Sequence, residues 1–381
     1  MASSPTGAAD DAPVVKAGCW FSASGHSVNQ IDPTLFTHLY AGFAVVNKTP
    51  LEDSVITFPP NNEYIFQTFP ESVQPHGNTH AHKVKALLSI GGPDSDETPN
   101  ISEAIAYQVS DPNRRTTFIK KSIKLARKYN YDGLDLCWLY PSNGAYPNLL
   151  ADFILFLNEW RLNVNEDKNK PKLLLTATVF HHPVIPSIDG NDFSYPIEAL
   201  SRNMDWINVL ATDFYTPSNS ATKTGPVHAW LNPKEEKTCG SHGIGMWTEG
   251  SKIETKKLVL SLPFYGYEWT LEKLAEHAFF APAKQGSKLP IEYRKIKADY
   301  LDKHKCPVVD GGEYVAAYLY SGATWIGFDD EQWISTKIKL AVLGMNLRGY
   351  FAWDVTADDD NHTLSNAGNW QHIYGFNNIC I

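Results

Sequence analysis

Apolar residues along this chain gather into short, near-continuous runs separated by amphipathic stretches, and that spacing predicts alternating strands and helices. Val15–Phe21, Leu39–Val46, Val84–Ile90 and Gly133–Trp138 read as strands, followed by Leu173–Phe180, Trp206–Asp213, Leu258–Pro263 and Gly349–Asp354. The runs are apolar at successive rather than alternate positions, so both faces of each strand need cover, as in a parallel sheet wrapped by helices. Helical stripes lie between them. Phe118, Ile119, Ile123 and Ala126 share a face within Arg114–Tyr129, and Leu149, Leu150, Phe153, Ile154, Leu157 and Trp160 give the clearest helix. Asp32-Pro33 reads as a capped helix or turn before the second strand.

Eight strands with helical crossovers predict an α/β fold of the (β/α)8 TIM barrel type, a size that 381 residues can fill. Between the seventh and eighth strands the chain takes about 85 residues, more than one crossover helix needs. The expected organisation is therefore a flexible segment over 1–13, a barrel from 14–263 and 325–381, and a small α+β insertion over 264–324. In the fourth strand Asp132 and Asp135 stand among apolar residues, where a carboxylate is costly unless it has a purpose.

Composition narrows the partners. With 43% hydrophobic and 20% charged residues the chain is globular, and a net charge of −9 argues against nucleic acid and anionic membranes. No apolar run approaches the roughly 20 residues of a membrane span. The first thirteen residues are small, polar and acidic without the basic and apolar regions of a secretory signal, which predicts a cytoplasmic protein, or a secreted or vacuolar one if a leader has been removed. Asn100 and Asn361 head glycosylation sequons, relevant only to a secreted chain. Cys19, Cys137, Cys239, Cys306 and Cys380 are too scattered for a disulfide framework or a metal site, and Cys19 and Cys137 fall inside strands as small buried hydrophobes. No metal and no cofactor are expected, and a monomer is. Asp358-Asp359-Asp360 reads as a solvated loop.

The motifs in chain order carry a resemblance. Val15–Ser22, Ile31–Leu39, Leu88–Gly92, Asp132–Pro141, Leu258–Tyr267 and Thr324–Asp330 together resemble the family 18 glycoside hydrolases, and within them the plant class V chitinases, over about Val14–Ala367. Gly91–Gly92 then belongs to the third strand of that family and not to a dinucleotide loop. The family carries Asp-x-x-Asp-x-Asp-x-Glu on the fourth strand. The resemblance implies that the Glu protonates the glycosidic oxygen, that the third Asp orients the substrate acetamide, whose oxygen attacks the anomeric carbon, and that a Tyr after the sixth strand holds that acetamide. In this chain these three positions are Leu139, Cys137 and Thr212. Cys19 replaces an aromatic Tyr of the first strand, and Thr270 an Arg after the seventh. A positioned general acid is worth roughly 10²–10⁴-fold, so chitin hydrolysis is expected to be lost.

What remains is an aromatic groove. Trp353 matches the family's stacking floor, and Trp20, Phe43, Tyr215, Tyr267 and Trp269 stand at strand ends or loops on the face where a barrel binds its ligand. Asp135 and Asp213 keep carboxylates there, with the alternative that Asp135 is held in the barrel interior for structure. His181 and His182 follow the fifth strand, and adjacent residues face opposite ways, so one of them points into the mouth. Three functions fit: a pseudoenzyme binding a glycan; a repurposed enzyme with Asp135 and Asp213 moving protons on a small plant metabolite; or a storage or inhibitor protein.

Overall fold

The computed structural model describes residues 13–74, 83–94, 99–142, 144–187, 190–284 and 286–368. Seven strands, β1 (Val15–Phe21), β2 (His38–Val46), β3 (Lys85–Gly91), β4 (Gly133–Cys137), β5 (Leu174–Phe180), β6 (Trp206–Leu210) and β7 (Leu258–Pro263), precede the inserted sheet. That sheet contains β8 (Tyr265–Leu271), β9 (Val308–Gly311), β10 (Ala316–Ser321) and β11 (Thr324–Phe328), after which β12 (Gly349–Trp353) is the eighth barrel strand. The barrel strands pair in parallel around a closed ring, with β1 joined to β12 on one side and β2 on the other. The TIM barrel expected from the sequence is the fold of this chain.

Strand parity sorts the side chains. On β1, Val15, Ala17 and Cys19 point into the barrel, where they meet Tyr40, Leu87, Cys137 and Phe351; Trp20 points the other way, into the helix layer. On β4 the same rule sends Asp135 and Cys137 inward and Leu134 and Leu136 outward.

Helices α1 (Glu63–Ser72), α2 (Ile101–Val109), α3 (Pro112–Lys128), α4 (Leu149–Glu166), α5 (Gly240–Thr248) and α6 (Glu331–Ile338) lie outside the barrel strands. α3 begins two residues before the apolar pattern predicted because Asp111 accepts from the backbone N–H groups of Asn113 and Arg114 and Pro112 pre-sets the first turn. Its end carries Arg127 and Lys128, favourable against the helix dipole.

The inserted sheet is antiparallel and runs through Phe328, beyond the end at 324 expected from the pattern. Trp269 and Trp325 pack edge to face at its centre, 5.5 Å between centroids. It is fastened to the barrel by Lys337 of α6, which bonds Asp329 just past β11 and the carbonyl of His228. The acidic run is not the solvated loop predicted. Asp358 is 2% exposed and accepts from the N–H groups of Asp359, Leu364 and Ser365, and Asp359 caps Thr363, so only Asp360 faces water. Two short turns needed caps, which the bare charge pattern does not reveal.

Candidate ligand-binding site

At the C-terminal ends of the barrel strands a cavity of about 890 Å³ opens between the barrel mouth and the inserted sheet. That is the size of a ligand pocket. Leu139, Leu210, Thr212 and Trp353 line its barrel side; Tyr140, Phe180 and Phe214 form one wall, and Tyr265 and Tyr267 another. Leu289, 76% exposed, stands on the lip. A smaller hollow of about 380 Å³, lined by Leu150, Ile154 and Arg202, lies on the outer flank and contains none of the barrel-strand positions singled out from the sequence.

Asp135 lies beneath the cavity and is fully buried. Its oxygens accept from Ser89 at 2.7 Å, Thr176 at 2.7 Å and Thr178 at 3.0 Å, and Asn208 supports Thr178 from behind. Burial pushes its pKa up to about 6, and the three hydroxyls keep it from rising further. Asp135 is not among the cavity-lining residues, and its place is that of a structural carboxylate inside the barrel. Cys137, above it, is likewise sealed, and burial together with the Asp135 charge raises its thiol pKa, so it holds no thiolate nucleophile.

Asp213 is different. β6 stops at Leu210, three residues short of the predicted strand, and Asp213 adopts a left-handed φ of 62° that swings its carboxylate into the cavity. The Tyr265 hydroxyl donates to it from 2.9 and 3.0 Å. Its own N–H donates to Nδ1 of His228, whose Nε2 then carries the proton and donates to the Tyr265 carbonyl. Burial and the nearby Lys337 ammonium keep His228 well below its usual pKa, so the 3.5 Å approach of Nδ1 to Asp213 Oδ1 is no ion pair. Burial pushes Asp213 up to about 7 against the pull of Tyr265. Because 39% of its side chain still faces the cavity, water there lowers that value, and a ligand that expels the water restores it.

Of the histidine pair, His181 faces the cavity, its ring 5.0 Å from that of Phe214, and His182 turns onto Val184. Burial, with His182 and His242 alongside, lowers His181 to about 4, so it is neutral.

The aromatic candidates divide. Trp353 and Tyr267 line the cavity; Phe43 stands behind Trp353 at 5.6 Å. Trp20 is packed on Phe66 and Phe69 in the helix layer, because it falls on the outward parity of β1. Trp269 is buried against Trp325 and donates to the Ser220 carbonyl; Tyr215 is buried and donates to Glu235. These three lie outside the cavity lining. Thr270 is exposed on β8. Sequence reasoning missed Tyr265, Tyr140, Asp354 and Glu292. Tyr265 was legible, since it shares the parity of Tyr267; Glu292 comes from the insertion, whose approach to the mouth no local pattern announces.

A closed eight-stranded parallel barrel with an inserted antiparallel sheet carries its aromatic cleft at the C-terminal mouth, the face where (β/α)8 barrels place their sites. The chain belongs to the glycosyl hydrolases family 18, whose model matches residues 16–358. It is 38% identical to a class V chitinase of Arabidopsis thaliana over 362 residues, 93% of this chain and 88% of that one. Among solved structures, a mutant class V chitinase from Nicotiana tobaccum in complex with NAG4 shares 36% identity at a TM-score of 0.83, covering 96% of this chain and 99% of that one. The chitinase-like agglutinin RobpsCRA from Robinia pseudoacacia shares 34% identity at a TM-score of 0.80, covering 93% and 100%.

Proposed function

We propose that this chain is a chitinase-like protein that has lost chitin hydrolysis and binds a glycan in the old substrate cleft. One observation carries the reading: the position where the family's acid is expected is Leu139, which lines the cavity with a side chain that has no proton to give. The groups that would hold an acetamide are also changed, since Cys137 is sealed and Thr212 offers only a short hydroxyl. What survives is surface for a ring to stack on, Trp353 with Tyr140 and Tyr267 around it, and such contacts bind a sugar face without cleaving it. The likeness to an agglutinin and to a chitinase complexed with a tetrasaccharide supports a glycan as the ligand.

The test is a chitotetraose assay run beside calorimetric binding to the same sample. The reading expects binding with no release of shorter sugars over hours. Turnover within about a hundredfold of an active class V chitinase contradicts it, being faster than a site without an acid allows.

A second reading, a repurposed enzyme acting on a small metabolite, is favoured by Asp213. A carboxyl held near neutrality inside an aromatic cavity is suited to moving protons, whereas Asp135 is walled off by its three hydroxyls.

A further inference from the structure

Asp213 is an acid deep in the cavity without a cation to answer it. Among the described residues the nearest basic group is the neutral His228, and Lys337 behind it is already bonded to Asp329. Tyr265 supplies one hydroxyl proton shared between the two carboxylate oxygens. Burial, with the Asp213 charge adding to it, raises the pKa of Tyr140, Tyr265 and Tyr267, three phenols that line the same cavity. Farther along the cavity, Asp354 uses Oδ1 to accept from the N–H and hydroxyl of Thr356, and among the described residues no hydrogen bond reaches its Oδ2. Glu292, whose charge adds to burial in raising the Asp354 pKa, has His26 Nε2 3.1 Å from Oε1 and the Lys295 ammonium 3.7 Å from Oε2, which accepts no hydrogen bond among the described residues. Lys237 is the one lysine or arginine among the residues lining this cavity, against four acids: Asp94, Asp213, Glu292 and Asp354.

An ionised carboxylate taken out of water needs a cation or several donors, and aromatic faces attract cations. We propose that the cavity takes a ligand bearing a protonated amine beside a flat ring, with the ammonium docked on Asp213 among the three phenols. An ammonium has three donors and no acceptor, so it can bond the carboxylate and the tyrosine oxygens together. An N-acetylated sugar brings a neutral amide there and leaves the carboxylate unanswered. Two sources offer this chemistry: an amino sugar with a free amine, and an arylalkylamine. The inference rests on the cavity being the binding site and adds the charge of what it binds.

The experiment titrates wild-type protein and Asp213→Asn with fully deacetylated chitotriose, N-acetylated chitotriose, tyramine and the neutral 4-ethylphenol. Asparagine keeps an acceptor for Tyr265 and tolerates the left-handed backbone, so the variant is expected to fold, which its melting curve checks. At least one amine should bind about tenfold or more tightly than its neutral counterpart, in keeping with a charge-assisted contact. Asp213→Asn should erase that advantage while moving the neutral ligands less than about threefold. Which of the two amines binds tells the sugar source from the aryl source. Neutral ligands binding as well as amines, or an amine advantage that survives Asp213→Asn, overturns the inference and leaves glycan binding standing. Binding of none of the four overturns both. If the variant fails to fold, the paired comparison on wild-type protein decides alone.

Discussion

Tyr140 is 53% exposed at the cavity wall, its ring 5.6 Å from Phe180, and it is not among the residues of the hydrophobic core. A side chain so placed adds stacking surface for a ligand and little to the fold. Tyr140→Ala should therefore weaken glycan binding by about tenfold, the loss of one ring contact worth roughly 0.5–1.5 kcal/mol with its buried area besides. Its melting temperature should stay within a degree or so of wild type. Calorimetry and a thermal melt on one preparation read both quantities. Much of this residue-scale picture was legible in the sequence. Inward parity on β4 places Asp135, Cys137 and Leu139 on one line, and parity on β8 pairs Tyr265 with Tyr267. What parity could not give is the conformation of Asp213, because a left-handed residue after a strand ends the period-two pattern that would have aimed it. Parity also turns Trp20 outward on β1, opposite to Cys19, while Trp353 was set apart by its match to the family's stacking floor.

α6 and the end of β11 meet through Lys337 and Asp329, an ammonium and a carboxylate both buried, with the His228 carbonyl taking a second proton from the lysine at 2.5 Å. Burial holds the Asp329 pKa above and the Lys337 pKa below the ordinary values, and each partner pulls the other back. Breaking such a pair leaves one charge stranded in a dry interior, which typically costs about 3–5 kcal/mol. Lys337→Met should accordingly lower stability by that order, whereas Lys337→Met combined with Asp329→Asn should recover a large part of it. Urea unfolding of the two variants distinguishes them, and equal losses would mean that the pair does not act as a unit. Nothing in the sequence announced this contact. Asp329 falls within the Thr324–Asp330 motif and Lys337 carries no signal of its own, so only the fold brings them together. The helices themselves were easier, because an apolar stripe and a cap such as Asp111-Pro112 are local signals.

Across the whole molecule the buried acids set an unusual pH dependence. Asp135 is pushed up to about 6, and Asp213 and Asp354 to about 7, all mainly by burial. Each therefore binds its proton more tightly in the folded chain than in the unfolded one, where a carboxyl titrates near 4. As pH rises from about 4 to 7 the folded state must give up protons it prefers to hold, so these groups subtract stability over that window. Against them, Asp53, Asp111 and Asp167 are lowered by hydrogen bonds and nearby cations and lose their contribution only as pH falls below about 4. Stability should thus peak in mild acid, between about pH 4 and 6, and decline toward pH 8. Melting temperatures measured across that range check this; a maximum at pH 8 would show that the cavity acids are solvated.

The barrel and the family were readable from eight apolar runs and several motifs in one order, since both depend on pattern more than on contact. The claim that rests on contact is that the cavity now holds a glycan intact. Its most direct measurement is a crystal structure of the wild-type protein after prolonged incubation with chitotetraose. The account predicts an uncut tetrasaccharide with a ring stacked on Trp353 and no protein oxygen from residue 139 at the glycosidic bond. Shorter products in the cavity, or an intact sugar seated away from Trp353, would contradict it.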